Sequence, residues 1–281
     1  METYQTIASA VRVFPTANRP ILISCNDQDL NLWVVKAWRG SLPAFGLAKE
    51  LLAYRLAEIW GFTQPKAALI SVNPKHLEKL KIPAAHYHEL CFGSQYAVNR
   101  RDWDKFMELA PKSFHQKFHN HLNLLKAALF DIWLGNEDRF ARNHNLLIEL
   151  RENDHDILPI DHESILNATD SNNNQIYYDS EMMLTDPGQN LLESLSVIHV
   201  LKKCKNLDQI EKELMHDFFN FVNASQDQLT TIIEEIPEGW KIDRDGLYNF
   251  LSRELFKEGW LETVSEHFSY LLAQSGIKAK T

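Results

Sequence analysis

The chain has 281 residues, of which 44% are hydrophobic and 24% are charged, as in an ordinary globular protein. Its formal net charge of −9 disfavours nucleic acids and anionic membranes as partners, since both bind basic surfaces. No apolar run reaches the roughly 18 residues of a transmembrane helix, and the first residues lack the basic start and apolar stretch of a signal peptide. The three widely spaced cysteines are typical of a reducing compartment, so we expect a cytoplasmic protein.

The first hundred residues are predicted to combine β-strands with one helix. Two apolar runs, "ILIS" and "LNLWVVKAW", flank polar residues 26–29 and predict a β-hairpin. A helix is predicted over 45–60, with Gly61 at its C-terminal cap. The stretches "AALISV" and "ELCFGSQYAV" predict two further strands.

The remainder is predicted to be mainly helical. The apolar spacing of "SFHQKFHNHLNLLKAALFDIWLG" predicts one long helix over 113–135, and "NLLIEL" with "DILPI" predicts a second hairpin. Helices follow from residue 191 and are interrupted at "IPEGW". We therefore expect an α/β (α+β) fold of two lobes, a β-rich N-terminal lobe over 1–100 and a helical C-terminal lobe over 101–281.

Lys36 is unusual because it lies in a predicted strand of leucine, tryptophan and valine. A lysine in that setting needs an edge or a counter-charge, because burying an isolated charge is costly. Glu50, on the following helix, lies in one row with Ala53 and Ala57, whose small side chains allow the helix to pack closely on the sheet. The sequence therefore predicts an ion pair between Lys36 and Glu50.

The stretch "LGNEDRFARNHNLL" places Asp138 and Asn143 five residues apart in a helix-to-strand turn, and Asp161 ends the hairpin that follows. Phosphoryl transfer from ATP needs a lysine on the phosphates, a glutamate that holds it, and a carboxylate that orients the attacking hydroxyl. It also needs oxygen ligands for Mg²⁺, which an amide and a second carboxylate supply. The order of these residues along the chain is that of protein-kinase-like folds.

"GNEDRFARNHNLL" followed by "ILPIDH" resembles the HipA-like kinases and, more distantly, the phosphatidylinositol kinases. "AKELLAYRLAEIWGFTQPKAAL", "CFGSQYA" and "IPEGW" are similar to the same HipA-like group, so the resemblance covers about residues 18–255. It implies a two-lobed protein-kinase-like fold with ATP and Mg²⁺ as cofactors. By position, it implies that Lys36 is the ATP-phosphate lysine and Glu50 its partner, that Asp138 is catalytic, and that Asn143 and Asp161 are magnesium ligands.

The chain departs from the family pattern at two places. The loop "PTANRP" has no glycine that would let backbone amides approach phosphates, and Asn18 and Arg19 are the candidates to contact nucleotide with their side chains. Phe140 stands two residues after Asp138, where many relatives have histidine.

The resemblance implies phosphorylation of a serine or threonine hydroxyl on a protein substrate. A lipid or small-molecule kinase is one alternative, because the catalytic turn is also similar to that of phosphatidylinositol kinases. A pseudokinase that serves as a binding module is the other, because the glycine loop is missing. Full-length HipA-like toxins dock a DNA-binding antitoxin through an extra N-terminal subdomain. This chain reaches its lysine strand near residue 30, so we expect that subdomain to be missing, while a toxin role and an antitoxin-like partner protein stay open.

The polar segment 166–190, with its run "SNNNQ", is predicted to be mobile and to act as an activation loop. Thr169 and Ser171, with Ser164 just upstream, are its candidate phosphate acceptors.

Overall fold

A computed structural model of the chain describes residues 1–16, 18–38, 44–109, 118, 122–152, 154–166, 169–170, 175–176, 190–202 and 207–276. The N-terminal part is a six-stranded sheet with one long helix, α1 (Phe45–Ile59), between its fourth and fifth strands. The strands are β1 (Thr3–Gln5), β2 (Arg12–Val13), β3 (Ile21–Ser24), β4 (Leu32–Lys36), β5 (Ala67–Ser71) and β6 (Cys91–Gln95).

Strand β4, which carries Lys36, lies in the interior of the sheet. The strand order is β1-β5-β6-β4-β3-β2, and only the β1–β5 pair is parallel. The first predicted hairpin is confirmed as β3 and β4, in which Val34 pairs with Leu22. On its other side β4 pairs with β6, so that Lys36 lies opposite Phe92. Both neighbours restrain the backbone that carries the lysine.

The two faces of β4 differ in burial because strand side chains alternate. Trp33 and Val35 are fully buried in the smaller of two hydrophobic cores, whereas Lys36 lies on the half-buried face. Phe92, opposite Lys36, belongs to the larger core together with α1. Helix α1 therefore covers the same sheet face on which the lysine lies.

Helix α1 joins the sheet to the C-terminal part. It ends as predicted, with Gly61 at a left-handed φ of 69° and its N–H donating to the carbonyl of Glu58. The ring of Trp60 lies 5.3 Å from that of Trp133 and 5.3 Å from that of Phe221. The larger core therefore runs continuously from α1 into the helices that follow.

The C-terminal part combines a small three-stranded sheet with helices. Strands β7 (Arg100–Asp102), β8 (Leu146–Leu150) and β9 (His155–Pro159) form this sheet in that order, and β8 with β9 is the second predicted hairpin. The other elements are α2 (Trp103–Leu109), α3 (Leu122–Leu134), β10 (Thr169–Asp170), β11 (Gln175–Ile176), α4 (Leu195–Leu201), α5 (Leu207–Glu234), α6 (Arg244–Glu254) and α7 (Glu258–Gln274). The division into lobes at residue 100 stays a prediction.

The prediction of a single helix over 113–135 is wrong at Phe118, and residues 113–117 and 119–121 lie outside the described residues. Helix α3 begins at Leu122, and Phe118 instead forms a β-bridge with His155. The ring of Phe118 stacks on Trp103 at 5.6 Å and is buried there. This tertiary contact outweighs the helical periodicity of the surrounding sequence.

The predicted activation loop over 166–190 lies mostly outside the described residues, and so does Ser171. Two short strands inside it, β10 and β11, pair with each other. In the part of the chain that the structure describes, no helix is both long and apolar enough to cross a membrane.

Candidate active site

Lys36 is the centre of an ion cluster between the two parts of the chain. Its ammonium contacts the carboxylate of Glu50 on α1 and lies 2.7 Å from Asp161 Oδ1 and 3.7 Å from Glu163 Oε2. The predicted pair of Lys36 and Glu50 is thus confirmed, and Asp161 joins it although it is 125 residues away in sequence. The side chain of Glu50 is 5% exposed and that of Asp161 is 35% exposed, so the cluster opens to solvent on the Asp161 side.

The pKa values of the cluster follow from burial and charge. Burial raises the pKa of Glu50 to about 7, although Lys36 acts in the opposite direction. Burial alone would lower the pKa of Lys36, but the carboxylates of Glu50, Asp161 and Glu163 outweigh it and raise the pKa. Burial would likewise raise the pKa of Asp161, but Lys36 outweighs it and lowers that pKa. Lys36 therefore stays charged and holds Asp161 ionised.

Asp138 lies in the turn between α3 and β8, where two amides fix its carboxylate. Asn143 Nδ2 donates to Asp138 Oδ1 at 2.8 Å, and Asn145 Nδ2 donates to Asp138 Oδ2 at 3.2 Å. Both amides also donate to the backbone carbonyl of Asp138, at 2.9 and 3.0 Å. Two of the amides in this polar turn therefore orient one carboxylate.

Arg139 ties this turn to the segment that carries Asp161. Its side chain is fully buried, with Nη1 2.5 Å from Asp131 Oδ1 on α3 and Nη2 2.8 Å from the carbonyl of Ile160. The N–H of Ile160 in turn donates to the carbonyl of Asn145 at 3.0 Å. Because Ile160 directly precedes Asp161, these bonds hold the Asp138 turn beside the Asp161 segment.

A third amide of the turn, Asn136, completes the support. Its Nδ2 donates to Asp131 Oδ1 at 2.9 Å, and its Oδ1 accepts the N–H of Asp138 at 3.2 Å. The backbone just before the predicted catalytic carboxylate is thus anchored to a buried residue of α3.

The donor set near Asp161 fits a hard divalent cation. Carboxylate oxygens of Glu50, Asp161 and Glu163 all lie within 4.8 Å of one another. Asn143 donates through its nitrogen to Asp138, which leaves its amide oxygen as a ligand atom. Asp161 adopts a left-handed φ of 62°, a conformation in which aspartate is enriched and which occurs often at functional sites. Carboxylate and amide oxygens are the ligands that Mg²⁺ prefers.

The loop that replaces a glycine-rich loop reaches the cluster through Asn18. Asn18, between β2 and β3, donates through Nδ2 to the carboxylate of Glu163, which follows β9. Arg19 is exposed in the same turn, where its φ is 41° and its N–H donates to the carbonyl of Thr16 at 3.0 Å. A nucleotide-contact role for either residue stays a prediction.

Two charged residues of the site were not identified in the sequence. Glu163 contacts Lys36 and Asn18, and Lys49 is 7% exposed on α1. The sequence contained one weak signal, a charged residue next to Glu50 in the apolar first half of the helix. Nothing in the sequence distinguished Glu163 from an ordinary loop acid.

His144 anchors the turn on its other side. Its Nδ1 lies 2.5 Å from Asp104 Oδ1 on α2, and its Nε2 lies 2.5 Å from Ser194 Oγ. This order of groups is that of a hydrolase triad, but Ser194 is 2% exposed and its hydroxyl caps α4 by accepting the N–H of Val197. The arrangement therefore supports the turn and offers no accessible nucleophile.

Solved structures similar to this chain at low sequence identity include two kinases. No curated protein sequence gives a significant match. The crystal structure of CtkA, a proinflammatory kinase of Helicobacter pylori, has a TM-score of 0.55 and 14% identity, with 96% of this chain and 99% of that chain covered. The crystal structure of a Golgi casein kinase has a TM-score of 0.45 and 11% identity, with 97% of this chain and 72% of that chain covered.

The similarity to CtkA shows the fold, a mixed α/β kinase fold with an N-terminal sheet and a helical C-terminal region. The family follows from the sequence. The profile of the HipA-like kinases matches residues 15–258, which is most of the chain. The chain therefore belongs to the HipA-like kinase family.

Proposed function

We propose that the protein is an ATP- and Mg²⁺-dependent kinase that transfers the γ-phosphoryl group to a serine or threonine hydroxyl of a protein. The observation that carries the proposal is the ion cluster of Lys36, Glu50 and Asp161, held beside the amide-oriented carboxylate of Asp138. Each group has the chemistry that phosphoryl transfer requires at that position.

Lys36 would contact the α- and β-phosphates while Glu50 holds its ammonium in place. Asp161 and the amide oxygen of Asn143 would hold Mg²⁺, which when bound neutralises charge on the phosphates. Asp161 would then exchange its contact with Lys36 for the metal. This exchange is open to it because its carboxylate is the most exposed member of the cluster.

Asp138 would accept or orient the proton of the attacking hydroxyl. Its carboxylate is held by Asn143 and Asn145, and its backbone by Asn136, so a substrate would meet a preoriented acceptor. The protein nature of the acceptor, and an antitoxin-like partner, rest on the family resemblance alone.

A pseudokinase is the second candidate, and one contact favours it. In the glycine-free loop, Asn18 donates to Glu163, which also lies near Lys36. Nucleotide phosphates would have to compete with this carboxylate for Lys36.

Transfer of γ-phosphate from labelled ATP, to the protein itself or to proteins of a lysate, tests the proposal. At saturating ATP, Asp138→Asn should reduce transfer by about 10²–10⁴-fold and leave ATP binding nearly unchanged, because acid–base assistance acts in the transition state. Equal rates would remove Asp138 from the mechanism. Binding of Mg-ATP without transfer by the wild type would favour the pseudokinase.

A further inference from the structure

Lys49 lies on the face of α1 that packs against the ion cluster of Lys36, Glu50, Asp161 and Glu163. Gly46, Lys49 and Glu50 are spaced i, i+3 and i+4, so they share one helix face. At the start of this face, a Cβ at Gly46 would lie 4.0 Å from the Cβ of Glu163. At its end, Glu50 contacts Lys36. Lys49, 7% exposed, is thus buried between the helix and the segment 161–163.

The charge of Lys49 is only partly compensated. Burial lowers the pKa of Lys49 to about 8, and the nearby carboxylates of Glu163 and Glu137 offset this only in part. Glu163 lies two residues after Asp161, and Glu137 directly precedes Asp138. The ammonium of Lys49 therefore interacts both with the segment that carries Asp161 and with the catalytic turn. A buried lysine with a perturbed pKa, placed on the helix face between Glu163 and the Lys36–Glu50 pair, is a candidate for a residue that contacts a ligand.

Two other described cations near the catalytic turn, Lys36 and Arg139, are already engaged, whereas Arg142 in the same turn is exposed. Lys36 is bound by Glu50 and Asp161, and Arg139 is fully buried by its contacts with Asp131 and Ile160. Phe140, two residues after Asp138, has no charge. Yet charge on the transferring phosphoryl group needs a cation close to the catalytic carboxylate.

We propose that Lys49 contacts the γ-phosphate of bound ATP, a role separate from that of Lys36 on the α- and β-phosphates. The inference rests on the proposed nucleotide site. It makes Lys49 a residue that distinguishes ATP from ADP.

Calorimetric titration of the whole chain with Mg-ATP and with Mg-ADP tests this role without requiring transfer. Lys49→Met should weaken Mg-ATP binding by about 10- to 100-fold, the range of one hydrogen bond to a charged group, and change Mg-ADP binding less than about threefold. Lys36→Met should weaken both nucleotides alike. Lys49→Arg, which keeps the charge, should keep most of the preference for ATP, and Lys66→Met on the exposed surface should change neither affinity.

Equal losses for ATP and ADP in Lys49→Met, or no loss, would overturn the inference while leaving the nucleotide site intact. Failure of the wild type to bind either nucleotide would overturn the proposed function and the inference together. Thermal unfolding of each variant identifies a folding defect. If Lys49→Met does not fold, Lys49→Gln serves as a second variant without the charge. It is titrated with the same two nucleotides and judged by the same criteria.

Discussion

Replacement of Arg139 by methionine should destabilise the fold by about 3–5 kcal/mol, the cost of removing one partner of a buried ion pair. Arg139 is fully buried, and its two side-chain bonds go to Asp131 and to the carbonyl of Ile160. Hydrogen bonds to charged groups contribute about 1.5–3 kcal/mol each, so two of them give about 3–6 kcal/mol, which overlaps this range. Because a domain's total stability is only about 5–15 kcal/mol, the loss is large enough to measure.

Urea denaturation, with the free energy of unfolding extrapolated to water, measures the change. The control is Asp131→Leu combined with Arg139→Met, which should recover most of the loss because no unpaired charge stays buried. The pH supplies a further check. Burial raises the pKa of Asp131, and loss of Arg139 raises it further. Protonation of Asp131 at low pH should therefore remove the unpaired buried charge in Arg139→Met and restore part of its stability. Its deficit should be smaller at about pH 5 than at about pH 8. A single variant within about 1 kcal/mol of wild type at the higher pH would refute the reasoning.

Two further substitutions probe the cluster around Lys36. Asp161→Asn should abolish the Mg²⁺-dependent part of ATP binding and keep the fold, because the amide removes the anionic oxygen that a hard cation requires; equal Mg-ATP dissociation constants in calorimetry would reject this assignment. Glu163→Gln should instead tighten Mg-ATP binding by about two- to fivefold, because it removes a carboxylate that competes with the phosphates for Lys36. An ion pair of this kind contributes at most about 1 kcal/mol, which sets the upper limit of the gain. Weaker binding in that variant would indicate that Glu163 acts in the site as a ligand.

The pairing of Lys36 with Glu50 was predictable because both signals are local. An apolar strand around a lysine, and a helical row containing Ala53 and Ala57, each arise from side-chain periodicity within one element. The spacing of Asp138 and Asn143 likewise lies within one turn. The confirmed hairpins and α1 follow from the same short-range patterns.

Tertiary structure decided the features that depend on contacts between distant segments. Phe118 lies in a helical pattern, yet it is buried against Trp103 and forms a β-bridge with His155, and the helix begins only at Leu122. Nothing in the sequence distinguishes Arg139, which is buried, from Arg142, which is exposed. Arg139 is buried because helix α3 places the buried Asp131 beside it.

Lys49 and Glu163 are two site residues whose roles likewise could not be predicted from the sequence. Each is an ordinary charged residue in its own stretch of sequence, and their environment arises only when α1 packs against the segment after β9. Periodicity along the chain determined which elements form and which side chains share a face. The burial of a charge, and hence its pKa and its partners, depends on which elements meet in space, and that was decided by the packing of the whole core.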